Sequence, residues 1–196
     1  MDRRFAGLLV AAVLALPAGA GAAPSDPLEY VRTKYAEIQA VVKKFPEKEA
    51  MQQGIRDVME TFVDYRELSK RTLPDSWDKL AKKQQDGFVD EFKKMIQRTY
   101  VRRFNPNKEV AVEYKGATTE ADGTSTVNSI VHSGRSEARV DYRFHKKGAQ
   151  LWAFDVVIDD VSMVKNYRKQ FHDIMAKSNF DGLMDKIRKR NAKAQE

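Results

Sequence analysis

The side chains to weigh first for chemistry are three histidines, a carboxylate among apolar strand residues, a pair of adjacent aspartates and one serine. His132, His145 and His172 fall in separate segments. On strand alternation, His132 lies opposite the Val127/Val131 face and His145 opposite the Tyr142/Phe144 face, so both are expected to point into solvent. No H-x-x-H or H-E-x-x-H spacing is present to hold a metal, and the chain has no cysteine. That excludes thiolate zinc sites, disulfide scaffolds and cysteine nucleophiles. Ser162 lacks the glycines of a nucleophile elbow. Asp155 sits between apolar strand residues. Asp159 and Asp160 could serve acid–base work, or cap a helix beginning near Val161-Ser162. No glycine-rich phosphate loop is found, so the chain itself is not expected to consume ATP, and with constellations this weak the expectation is no enzyme, no cofactor and no metal.

Charge narrows the partners. There are 35 Lys+Arg against 28 Asp+Glu, a net +7, with the densest basic runs at Arg102-Arg103, Lys146-Lys147 and Lys186 to Lys193. Nucleic-acid binding needs exposed aromatics among such cations, whereas here the aromatics recur at core spacing. Anionic membrane surfaces, lipid head groups or an acidic protein fit better; the alternative is ordinary solubilising charge. At the N-terminus, Asp2, Arg3 and Arg4 precede an apolar run from Phe5 to Leu16, then Pro17 and the small residues Ala20-Gly21-Ala22. This pattern predicts a secretory signal peptide over 1–22, cleaved after Ala22, leaving residues 23–196 to fold. Export without cysteine suits a bacterial periplasm.

The elements that must position any site follow from hydrophobic period. Asp26-Pro27 starts a helix with Leu28, Val31, Tyr35, Ile38 and Val42 on one face, stopped by Pro46. A second carries Met51, Ile55, Val58, Met59 and Phe62, a shorter one runs from Asp64 to Leu73, and Asp75 or Ser76 caps a start that turns Trp77 and Leu80 inward. The strongest helix spans about Lys82 to Phe104 with Phe88, Phe92, Met95, Ile96, Thr99 and Tyr100 in register. The period then falls to 2: Val110, Val112 and Tyr114; Val127, Ser129 and Val131; Val140, Tyr142 and Phe144; Trp152, Phe154, Val156 and Ile158. Turns at Ala121-Asp122-Gly123 and Lys147-Gly148 make an antiparallel meander. Two helices close the chain, one lined by Val161, Val164, Arg168, Phe171, Ile174 and Met175, the other by Leu183, Met184 and Ile187. The fold class is α+β: mainly helical over 26–104, sheet over 108–160, closing helices over 161–190, in one domain.

The C-terminal third is the most distinctive stretch. Trp152-Ala153-Phe154-Asp155-Val156-Val157-Ile158, then Val161-Ser162-Met163-Val164, Asn166-Tyr167-Arg168-Lys169-Gln170-Phe171 and Asp181-Gly182-Leu183 resemble the MlaC family, also called the toluene-tolerance auxiliary family. Asp64-Tyr65, Leu68-Ser69, Trp77, Gln84, Phe88, Phe92 and Thr99-Tyr100 fit the same pattern in the same order. The chain departs from it at Leu73-Pro74-Asp75-Ser76, where Leu-Gly often precedes the tryptophan, and at Asp160, where glycine often stands. The resemblance implies a soluble periplasmic carrier shuttling phospholipid between outer- and inner-membrane complexes of an ABC-type lipid transport system that maintains outer-membrane asymmetry. It also implies a curved sheet of four to five strands wrapped by helices around an apolar cavity.

Such a carrier must hide about thirty methylenes, at roughly 0.8 kcal/mol each or about 24 kcal/mol. The apolar candidates for the cavity wall are Val112, Tyr142, Phe144, Trp152, Phe154 and Val156 from the sheet, Phe92, Ile96 and Tyr100 from the long helix, and Val161, Val164, Tyr167, Phe171 and Met175 from the penultimate helix. Any α+β domain shows similar stripes as solid core, so spacing alone leaves hollow and full open. Arg168 either meets a head-group phosphate or pairs with Asp155 or Asp159. A shuttle has reason to be monomeric. Two other readings stand: an isomerase or dehydratase using Asp155 with Tyr142 or His145, and a non-catalytic adaptor docking through its basic helices.

Overall fold

The computed structural model describes residues 26–102, 104–105 and 109–193. The expected signal peptide, with Arg103 and residues 106–108 and 194–196, lies outside them. Helix α1 (Pro27–Lys44) starts where Asp26 Oδ1 accepts from the Leu28 N–H at 2.8 Å, with Pro27 in the position that needs no donor. Helices α2 (Lys48–Glu60), α3 (Tyr65–Thr72) and α4 (Lys82–Val101) follow. The start expected after Asp75-Ser76 is only a 3₁₀ turn, Trp77–Lys79, which ends where Leu80 takes an extended backbone. Helix α4 begins beyond it, with the Gln84 side chain accepting from the Ala81 N–H at 3.0 Å.

Strands β1 (Ala111–Thr119), β2 (Ser125–Ser133), β3 (Ser136–Lys147), β4 (Gln150–Ile158) and β5 (Val161–Ser162) form one antiparallel sheet in sequence order. Residues Phe62 to Asp64 extend it: Ala153 N–H donates to Phe62 O and Asp64 N–H to Ala153 O, both at 2.9 Å. Two bulges add twist. One lies between Tyr114 and Gly116, where φ is 135° at Gly116, a value costly for any residue with a Cβ. The other makes Phe154 the extra residue opposite Arg143 and Phe144.

Helix α5 (Met163–Lys193) supplies both expected closing helices as two arms. Ser178 (φ −154°) and Asn179 (φ 56°) break it. Ser178 Oγ donates to Ile174 O, and Asn179 Oδ1 accepts from the Gly182 N–H. A Cβ on Gly182 would fall 2.6 Å from Ser178 Oγ, so the Asp181-Gly182-Leu183 motif fits the bend. Among the described residues no helix is long and apolar enough to cross a membrane.

Three apolar clusters hold these elements together. The largest joins α3, α4 and α5 through Leu68, Phe88, Phe92, Ile96, Tyr167, Phe171, Leu183 and their neighbours. A second packs Tyr30 and Val31 of α1 on Val127, Phe144, Leu151 and Ala153 of the sheet. A third joins Met51 and Ile55 of α2 to Val101 of α4.

Candidate functional site

Where the three clusters meet, the packing opens into an apolar cleft of about 360 Å³. That is near the lower end of the roughly 300–1,000 Å³ of ligand pockets. Its floor comes from the sheet and its approach: Val110 and Val112, Val131, Val140 and Tyr142, and Ala153 to Val156 with Ile158. Its walls are Tyr35 and Ile38 of α1, Met59 of α2, Phe62 and Val63, and Ile96, Tyr100 and Phe104, with Met163 at the start of α5. The side chains with polar atoms among these residues are Tyr35, Tyr100, Tyr142 and Asp155. Burial pushes the Tyr142 phenol up to about 12 and raises Tyr35 as well, so both stay neutral at physiological pH.

The structure brings six of the fourteen sequence candidates to this cleft: Ile96, Tyr100, Val112, Tyr142, Phe154 and Val156. It places the others elsewhere. Phe92, Tyr167 and Phe171 interlock between α4 and α5 with ring centroids 5.0–5.6 Å apart, and Val164 is buried beside them. Phe144 lies under α1, its ring edge-on to Tyr30 and Phe62 at 6.0 and 5.7 Å. Trp152 pairs with His145, and the Lys147 ammonium stands 5.9 Å from its ring. Val161 is 59% exposed on the short edge strand β5. Met175 packs on the helical seam and lines a second, surface groove with Arg168. This groove, about 370 Å³, carries Asp75, Ser76, Lys165, Lys169 and His172 and offers no comparable apolar lining.

Arg168 itself donates through Nε and Nη2 to the Arg71 carbonyl at 3.0 and 2.8 Å, tying α5 to the end of α3. The pairing with Asp155 or Asp159 is therefore not made. Asp155 is 2% exposed and accepts from Ser162 Oγ at 2.6 Å and from the Val164 N–H at 3.0 Å, with Arg143 Nη1 3.5 Å away. It thus caps α5. The expected capping by Asp159 and Asp160 is corrected: both adopt positive φ (46° and 65°) in the β4–β5 turn, and Asp159 Oδ1 accepts from the Arg139 N–H while Asp160 pairs with the Arg139 side chain. His145 is also corrected. It lies opposite the Phe144 face but is not merely solvated, because its Nε2 is 3.2 Å from Asp64 Oδ2. Asp64 also caps α3 through the Arg66 and Glu67 N–H groups. His132 is half-buried beside Glu113 and Glu137, and His172 is exposed beside Asp173. Among the described residues, no group of three or more acidic or histidine side chains is placed to hold a metal ion.

The cleft residues not foreseen had signals. Tyr35, Ile38 and Met59 belong to the amphipathic stripes of α1 and α2, and Val131, Val140 and Ile158 share strand parity with Tyr142 and Val156.

The MlaC protein family matches residues 32–189, well over half of the chain, and the chain belongs to that family. Among solved structures, it is similar to a phospholipid-binding protein from Ralstonia solanacearum, determined in complex with a phospholipid. The TM-score is 0.79 at 23% identity, over 87% of this chain and 99% of that one. At that identity the likeness establishes the shared α+β fold. No curated protein matches the chain in sequence.

Proposed function

We propose that this protein is a non-catalytic phospholipid carrier of the periplasm. It would be exported by its 1–22 signal, act as one folded domain over 23–196, and pass lipid as a monomer between outer- and inner-membrane complexes of an Mla-type transport system. The observation that carries this reading is the cleft, whose lining is apolar apart from three phenols and a carboxylate already engaged as a helix cap. Family membership and the lipid-bound Ralstonia solanacearum structure support it.

The energetics set the requirement. Acyl chains leave a bilayer only for a site that replaces about 24 kcal/mol of methylene burial. The wall made by α1 is held to β1 by the Tyr35 hydroxyl donating to Val110 O at 2.8 Å and to the sheet by a small cluster. The test is transfer of labelled phospholipid from donor to acceptor liposomes by protein purified without detergent. Stoichiometric loading followed by transfer is expected. Neither loading nor transfer by well-folded protein would contradict the proposal.

A further inference from the structure

We propose that Arg32, with the Tyr114 hydroxyl, forms a phosphate-recognising corner at the α1/β1 edge of the cleft. This inference rests on the carrier reading above and assigns the site of the lipid's polar end. Helix α1 lies along β1, and the Tyr35 hydroxyl meets Val110 O there at 2.8 Å. One turn earlier, the Arg32 guanidinium lies 4.7 Å from the centroid of the Tyr114 ring. Tyr114 follows the cleft residue Val112 on the same face of β1 and stands opposite Ser129, whose own hydroxyl donates to Val140 O at 2.8 Å. The Tyr114 hydroxyl is left buried with no partner in the fold. A buried phenol wants an acceptor, and burial, its largest influence, holds this one in its neutral donor form.

Three other arginines near the cleft are occupied. Arg71, 3.9 Å from the Phe154 ring centroid, pairs with Glu67 at 2.7 Å; Arg143 faces Asp155; Arg139 pairs with Asp160. Arg32 is exposed and makes no ion pair among the described residues, although Glu29 lies one turn away on the same helix. An uncommitted guanidinium over an unsatisfied phenol, next to an apolar trough, matches a phosphate ester joined to an acyl chain. The same donors fit free inorganic phosphate.

The test loads the full folded chain from mixed vesicles holding phosphatidylglycerol and diacylglycerol with identical chains, then reads bound lipid by native mass spectrometry. Wild type should retain phosphatidylglycerol at least about tenfold over diacylglycerol. Arg32→Gln and Tyr114→Phe should each bring the two toward parity. Tyr114→Phe removes a hydroxyl that supports nothing in the fold, so its Tm should be unchanged and its loss of preference cannot be unfolding. Binding of both lipids without preference, or an unchanged preference in both variants, overturns the corner while leaving the carrier reading intact. Binding of neither lipid overturns both. A parallel titration with inorganic phosphate alone separates the sources: Arg32-dependent binding of free phosphate with no lipid preference would give phosphate recognition to the free anion and overturn the head-group assignment.

Discussion

Two apolar regions of this molecule are built from the same residue types and end in opposite states. Between α4 and α5 the aromatics close on one another: Phe88 stacks on Phe92 at 5.5 Å and meets Phe171 edge-on at 5.6 Å, and both Phe88 and Phe92 are fully buried. Between α1, α4 and the sheet, Tyr35, Ile38, Tyr100, Val131, Tyr142 and Val156 face one another across unfilled space. The seam joins two helices whose side chains can interdigitate. The cleft lies where helices from three clusters converge on a bulged sheet, and no single packing angle fills it. The seam holds the fold, and the cleft is free to hold something else.

The sharpest way to break this contrast is Phe92→Ala. It should cost about 3–5 kcal/mol in urea denaturation, the usual range for a fully buried aromatic; a cost under about 1 kcal/mol would mean that the seam is not solid. Asp155→Ala should come next, at about 2–3 kcal/mol, because it strips the cap from α5 and leaves Ser162 and the Val164 N–H buried without their acceptor. A matched pair then compares the regions directly. Val164→Phe in the seam should cost about 1–3 kcal/mol through overpacking. Val131→Phe in the cleft should change stability by less than about 1 kcal/mol yet reduce lipid loading severalfold, since the new ring occupies the trough. Equal stability costs at the two positions would erase the distinction.

The last effect, absent at physiological pH, is a pH dependence. The folded state raises the Tyr142 pKa from 10 to about 12, and burial raises Tyr65 in the seam above its usual value too. Both groups are favoured in the fold as neutral phenols. Their contribution is fully present below pH 10 and is lost above it, for Tyr142 between pH 10 and about 12, as the unfolded chain ionises first. Stability should therefore fall through that window. In Tyr142→Phe the fall should be shallower, as read by chemical denaturation, and an unaltered slope would place Tyr142 in water rather than in the cleft.

Much of the fold was legible. The Asp26-Pro27 cap, the α4 stripe and the parities of β1 to β3 correspond to elements of the structure, because each rests on a local rule. The site was only half legible. Trp152 and Val156 should share a face by alternation, but the bulge at Phe154 sets Trp152 opposite His145 and Val156 opposite Tyr142, on opposite faces, and a bulge depends on long-range pairing. Tyr167 and Phe171 recur at helical spacing whether their neighbours are aromatic rings or empty space, so periodicity could not say that they face Phe92. Arg168 was equally opaque, since its acceptor, the Arg71 carbonyl, is a backbone group that no side-chain pattern announces.

The most direct measurement is a high-resolution crystal structure of the protein purified from its native compartment without detergent. A lipid-carrying cleft predicts continuous elongated density along Ile96, Val112, Tyr142 and Val156, with the α4–α5 seam unchanged. Side chains collapsed into that space, with no density and no room for a chain, would contradict it.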